Sequence, residues 1–322
     1  LLLMLAKPLM MHTEAPPAVK LNYLTVRSLY SVMVGDWDEA RQGIAQTLAF
    51  SAETGIRVYD FSVHAWASYV GLWTGDSQYT QTHVDRMAQM LSPHSIWDTG
   101  QFHYIVALSA FHAGNAAKCR FHLDEAVRIA DYSGTPNPMG QSRVLLATFL
   151  LEQEDLQAAL EVVDSISSLK VSHHTGHVYF LRQLVLADCA RLQRRKRRMR
   201  NHLKAALSDA AQNGIMLPLG LGHERLAILM AEALRTNIET EMAIDIIQRF
   251  RLSPPAATPL DATWPWRIKL YALGRFDIYL DNQRLAVSGK APKKPLELLK
   301  LLICRGVEGI RREVAMDQLW PD

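Results

Sequence analysis

The chain has 322 residues, 49% hydrophobic and 21% charged, which is long enough for two ordinary domains and excludes a chiefly disordered protein. No run approaches the roughly 18 uninterrupted apolar residues of a membrane span, and the opening Leu1 to Leu5 stretch lacks a signal peptide's basic flank and cleavage site. The net charge of +3 is unevenly placed: Arg267 to Asp322 holds eleven Lys/Arg against seven Asp/Glu, or +4, and the remainder holds 24 against 25, or −1.

The sequence begins without Met inside an apolar stretch and stops after Leu319-Trp320-Pro321-Asp322, so it reads as an internal piece of a larger protein. Residues 1–14 then read as the tail of an upstream region. From 15 to 251 a period of about forty residues runs through the chain. Gly35-Asp36 recurs as Gly75-Asp76, Gly114-Asn115 and Glu154-Asp155, and a further step lands on Arg194. Each marker opens a helix: Asp36 with Glu39 forms a capping-box-like pair, and Asp76, Asn115 and Asp155 are N-caps. Gly55, Gly134 and Gly214 stand where a second helix should stop in a left-handed turn.

Nine residues past each marker the side chain is apolar: Ile44, Val84, Leu123, Val163 and Leu203. Before it come mostly small pairs, Ser28/Ser31, Ser68/Gly71, Ala107/Ala110, Ala147/Leu150 and Leu186/Ala190, spaced to lie on one helix face. Every unit is therefore expected to be helix, turn, helix, with a sixth, degenerate pair at Leu217 to Leu234 and Glu239 to Phe250. This pattern resembles tetratricopeptide-type (TPR) repeats, and most of all the longer-unit helical arms of large MalT-like and LuxR-family regulators. The fold class the resemblance implies is mostly α, a TPR-like right-handed α-solenoid of helix hairpins.

Residues 252–265 are rich in proline, which lacks the donor N–H and displaces its predecessor from the helical region, so they read as a linker. Beyond it, in 266–322, the hydrophobic period falls towards two. Ile268, Leu270 and Ala272, then Phe276, Ile278 and Leu280, then Arg284 to Val287 predict three short antiparallel strands. After Lys293-Lys294-Pro295 comes a helix carrying Leu296, Leu299 and Leu302 and ended by Gly306, then a second from Arg312 to Leu319.

Strands followed by two helices, with Leu273-Gly274-Arg275-Phe276, Ile310-Arg311-Arg312-Glu313 and the Leu319-Trp320-Pro321-Asp322 ending, resemble the start of an OmpR/PhoB-type winged-helix domain in its SARP-like form. The resemblance implies a small partial α+β domain whose recognition helix and wing would follow Asp322. It also implies a bacterial DNA-binding transcriptional regulator, in which the repeats sense a small-molecule effector or dock a protein partner. The alternative is a TPR-like interaction scaffold without sequence-specific DNA binding. Lys290, Lys293, Lys294, Arg311 and Arg312 are the candidates for DNA-backbone contacts.

A second basic candidate is Arg194, Arg195, Lys196, Arg197, Arg198 and Arg200, placed on the inter-helix turn of the fifth unit and read mainly as a solvated turn. His173, His174 and His177 have no Cys, Asp or Glu at ligand spacing, so a metal reading is set aside. Trp37, Trp66, Trp73 and Trp97 read as core. Cys119, Cys189 and Cys304 lie far apart and read as buried thiols of a cytoplasmic protein. The sequence contains no phosphate-loop, G-x-S-x-G or H-E-x-x-H motif, and neither catalysis nor a cofactor is expected.

Overall fold

The computed structural model describes residues 15–92, 94–169, 176–214, 216–255, 264–280, 283–285, 293–306 and 309–320. The chain divides into two compact units, Leu1–Pro265 and Trp266–Asp322. It is mostly helical, with fourteen α-helices and one three-stranded sheet among the described residues.

The first unit consists of six consecutive helix pairs. They are α1 (Pro17–Met33) with α2 (Trp37–Thr54), α3 (Asp60–Thr74) with α4 (Ser77–Met90), and α5 (Ile96–His112) with α6 (Ala116–Ser133). Then come α7 (Pro136–Glu152) with α8 (Leu156–Ser165), α9 (Gly176–Leu192) with α10 (Lys196–Asn213), and α11 (His223–Arg235) with α12 (Thr240–Arg249). One turn joins the two helices of every pair. Its backbone N–H donates five residues back: Asp36 to Ser31, Asp76 to Gly71, Asn115 to Ala110, Asp155 to Leu150, Arg195 to Ala190 and Ile238 to Ala233, all at 2.8–2.9 Å. The bond requires a left-handed residue just before the donor. Gly35, Gly75 and Gly114 adopt that conformation without strain, whereas Glu154, Arg194 and Asn237 adopt it with a Cβ.

The first four turns then start the next helix with a side chain. Asp36, Asp76, Asn115 and Asp155 accept from the N–H three residues on, at 3.0–3.3 Å. Gly55, Gly134 and Gly214 end α2, α6 and α10 in left-handed caps.

Successive first helices pack on one another, α1 on α3, α3 on α5, and so on to α9 on α11, and each second helix packs on the first helix of the next pair. The small residues sit at these crossings: Ser28, Ser68, Ala107 and Ala147 are fully buried, with Ile44, Val84, Leu123, Val163 and Leu203 filling between them. In the fifth pair the residue in register is Ala187, fully buried, and Leu186 is only half-buried. Gly43 lets α2 close on α1, since a Cβ there would lie 2.9 Å from Ser28 Oγ.

The most buried first helices are α3, at ten of its fifteen residues, and α9, at eleven of seventeen, whereas α8 buries two of ten. A helix apolar on all sides needs a layer on each side of it. The second helices supply one layer, and the segment 216–252 supplies the other.

Here the structure departs from the expected sixth pair. Leu217 to Gly222 is not helical, because Pro218 excludes Leu217 from the helical region and Gly220 takes φ +85°. These residues run along the first helices. Met216 N–H donates to Met33 O at 3.3 Å, the His177 ring hydrogen-bonds Leu217 O through Nε2 at 2.7 Å, and Gly220 lies against Leu145. Leu217, Leu219 and Leu221 are buried. At the far end Phe250 is fully buried and packs edge-on against both Trp37 and Trp73. Trp37 Nε1 donates to Arg249 O at 2.7 Å and Arg249 donates to Val34 O at 3.1 Å, so the last pair closes onto the first across more than 200 residues of sequence.

The stretch read as a plain linker is also more structured at its ends: Leu252, Pro255 and Trp264 are buried, and residues 256–263 lie outside the described part. Leu252 N–H closes α12 on Ile247 O, using the turn geometry of the helix pairs.

In the second unit β1 (Ile268–Tyr271) and β3 (Gln283–Arg284) flank β2 (Asp277–Leu280), all antiparallel, with Ile268 opposite Leu280 and Tyr271 opposite Asp277. The expected strands are shorter than their apolar alternation. Phe276 precedes β2, and of the third strand only Gln283–Arg284 pairs among the described residues. The buried Asp277 carboxylate is held by Arg284 at 2.5 Å and Arg275 at 3.2 Å. α13 (Lys293–Arg305) and α14 (Arg312–Leu319) follow at the expected places and pack together, and Gly306 takes φ +59° after α13. Cys119 and Cys189 are buried as expected, but Cys304 is exposed, because α13 has no fully buried residue.

Candidate nucleic-acid interface

Of the five basic candidates on the second unit, Lys290 lies outside the described residues. Lys293 is the first residue of α13, Arg311 caps α14 and Arg312 opens it; all three are exposed and form no ion pair with another described residue. A helix N-terminus already carries free N–H groups and partial positive charge, so cations placed there repel it unless an anion binds between them.

Lys294, unlike the other three, has partners within the second unit. Its ammonium donates to the Leu319 carbonyl, pairs with Glu297 at 3.3 Å and sits over the Trp320 ring at 5.7 Å. It therefore ties the start of α13 to the end of α14.

That bond brings the start of α13 to the end of α14. Lys293 neighbours the lysine that reaches the end of α14, whereas Arg311 and Arg312 stand at the start of that helix, which is about 12 Å long over eight residues. Arg305, the last residue of α13, is also exposed. Sequence reasoning missed it, although it stands only six residues before Arg311.

The basic run of the first unit does not lie wholly on a turn. Arg194 and Arg195 form the turn, and Lys196, Arg197 and Arg198 are the exposed first turn of α10. Arg200 is half-buried, 3.6 Å from Glu232. Arg195 and Arg198 share a groove with Arg182, Glu161, Asp164 and His202, so carboxylates face the cations there and the groove is not a simple anion site.

Of the expected core tryptophans, Trp37 and Trp73 are buried against Phe250, Trp66 is half-buried, and Trp97 is exposed at the mouth of a cavity. His173 and His174 lie outside the described residues. His177 is a structural pin: its neutral ring donates from Nε2 to Leu217 O, while Nδ1 takes the Gln141 amide at 3.3 Å. Burial pushes its pKa down to about 4.

Two histidine pairs were also missed. His64 and His83 meet Nδ1 to Nδ1 at 2.7 Å, His103 and His122 at 3.1 Å, and His202 meets Gln183 at 2.7 Å. Each partner stands eleven residues before or eight after its unit's marker, as 75−11=64 and 75+8=83 show, so the repeat register was the available signal. Desolvation lowers all four histidines of the two pairs, His83 to about 4.

Among the described residues no group of three or more His, Cys, Asp or Glu is arranged to hold a metal, and no helix is long and apolar enough to cross a membrane. No family model matches the chain, and no curated protein matches it.

Proposed function

We propose that this chain is part of a DNA-binding transcriptional regulator, a TPR-like right-handed α-solenoid that senses an effector or partner and acts on a winged-helix unit resembling the SARP-like form. The observation that carries the reading is that Arg311 and Arg312 stand exposed at the N-terminus of α14, with Arg305 exposed at the end of α13. Guanidiniums that form no ion pair with a described residue, beside helix N–H groups, are suited to phosphate, which accepts bidentate bonds from arginine.

The scaffold alternative needs an open inner face for a peptide. Leu217, Leu219, Leu221 and Phe250 already occupy that face from within the chain, which favours the regulator. No catalytic step and no cofactor enters the proposal.

The test is binding of the chain to a labelled DNA duplex as salt rises from about 50 to about 200 mM. Counterion release predicts a steep loss of affinity across that range. Absent binding, or binding indifferent to salt, would leave the scaffold as the better reading.

A further inference from the structure

A cavity of about 290 Å³ lies in the first unit, walled by Tyr69 of α3, Trp97, Gln101 and Tyr104 of α5, Ile129 of α6 and Gln141 of α7. Among the described residues no Lys, Arg, Asp, Glu or His lines it. A charged guest would lose its hydration there with nothing to replace it. Its rim is apolar as well, with Trp97 and Ile96 both substantially exposed.

Two residues of the wall each carry a polar atom without a partner among the described residues. Gln101 Oε1 and the Tyr104 hydroxyl are buried from solvent and make no hydrogen bond among the described residues, and Tyr104 is only 5% exposed. Folding normally pairs such groups, so two on one cavity wall require an explanation. The amide oxygen can only accept, whereas the hydroxyl can donate or accept. Burial pushes the phenols of Tyr69 and Tyr104 up, which keeps both as neutral O–H groups. Pockets of this kind, apolar with a few convergent polar groups, are what small-molecule sites look like.

We propose that this cavity binds an uncharged, predominantly apolar small molecule that donates an N–H or O–H to Gln101 and hydrogen-bonds the Tyr104 hydroxyl. The site joins the second, third and fourth helix pairs, so its occupant stiffens the middle of the array. The proposal rests on the sensing half of the function given above and is independent of DNA binding.

The test uses the 322-residue chain and the fluorophore N-phenyl-1-naphthylamine, which is uncharged, aromatic and carries one N–H. Its sulfonated analogue, 8-anilinonaphthalene-1-sulfonate, adds a charge to the same ring system. The expected result is saturable one-site binding of the neutral probe, with the sulfonate at least about tenfold weaker. Gln101→Leu should weaken the neutral probe roughly tenfold by removing its acceptor, although it makes the cavity more apolar. Trp97→Ala, at an exposed rim position, should weaken it without changing the melting temperature.

If Gln101→Leu fails to fold, Tyr104→Phe serves instead. It deletes an unpartnered hydroxyl, so it should leave stability equal or higher while weakening a phenolic probe, 2-naphthol, several-fold. Failure of the neutral probe to saturate, equal binding of the sulfonate, or indifference to these substitutions would overturn the proposal. DNA binding on the same preparation separates the two readings. A chain that takes the probe and ignores DNA keeps the cavity and loses the regulator; the reverse keeps the regulator and loses the cavity.

Discussion

Arg225 holds the inner segment to the helices it covers, and its replacement by leucine tests that arrangement. The guanidinium makes three contacts: Nε to Glu152 at 2.6 Å, Nη1 to Asp188 at 2.6 Å and Nη2 to the Leu151 carbonyl at 2.9 Å. The arginine side chain is 14% exposed and that of Asp188 only 2%. Removing one member of a buried ion pair costs about 3–5 kcal/mol, since the other charge stays buried. Asp188 keeps Arg191 at 2.7 Å and Glu152 is largely solvated, so the low end applies, about 3 kcal/mol. At about 2–4 °C per kcal/mol for a unit of this size, the melting temperature should fall by roughly 6–12 °C.

Urea and thermal unfolding measure the loss, and limited proteolysis should show new cleavage within 216–252. Adding Asp188→Asn to Arg225→Leu should recover part of it, because the uncompensated carboxylate is then gone. A loss below about 1 kcal/mol with no new cleavage would refute the reasoning, since it would mean that this network does not hold the segment in place.

Further outcomes follow from the repeated turn and from the histidines. Arg194→Gly should stabilise the chain by up to about 1 kcal/mol, because Arg194 holds φ +58° with a Cβ, whereas Gly75→Ala should destabilise it by about 1 kcal/mol; thermal denaturation reads both. The pH dependence has a definite sign. His177, His83 and His112 are held at about 4 when folded, so the unfolded chain binds their protons first. The stability they allow is complete above the unfolded value near 6.5 and is lost as pH falls from there towards 4. For the well-buried His177 alone the loss approaches roughly 3 kcal/mol, and His177→Gln should flatten the urea-midpoint profile between those limits.

The helix pairs were legible because their signals are local. A left-handed residue followed by Asp or Asn specifies both the end of one helix and the start of the next, and four of the six turns use a side-chain cap that sequence alone reveals. Even where Glu154 and Arg194 replace glycine, the forty-residue step still locates the turn. The inner segment was not legible in this way. Its partners are Met33, Trp37, Trp73 and His177, far away in sequence, and its apolar residues looked like one more helix until Pro218 and Gly220 were placed.

The candidate interface divides along the same line. Lys293, Arg311 and Arg312 are exposed at helix starts, which a helix prediction locates. Lys294 next to Lys293 was indistinguishable by composition, because its partner is a backbone carbonyl 25 residues away. Trp97 was misread for a related reason: it lies in the first turn of α5, where the helix alone does not dictate what covers it.

Salt dependence of DNA binding in charge variants tests the central claim most directly. Plots of log K against log salt for the parent chain and for Arg311→Ala/Arg312→Ala should both slope downwards, the variant less steeply by about 0.9 for each phosphate contact removed. Arg195→Ala/Arg197→Ala/Arg198→Ala, in the basic run of the first unit, should leave the slope unchanged. A slope that survives the first substitution and collapses with the second, or a parent chain with no salt-dependent affinity for DNA, would contradict the assignment of the second unit as the DNA-contacting part.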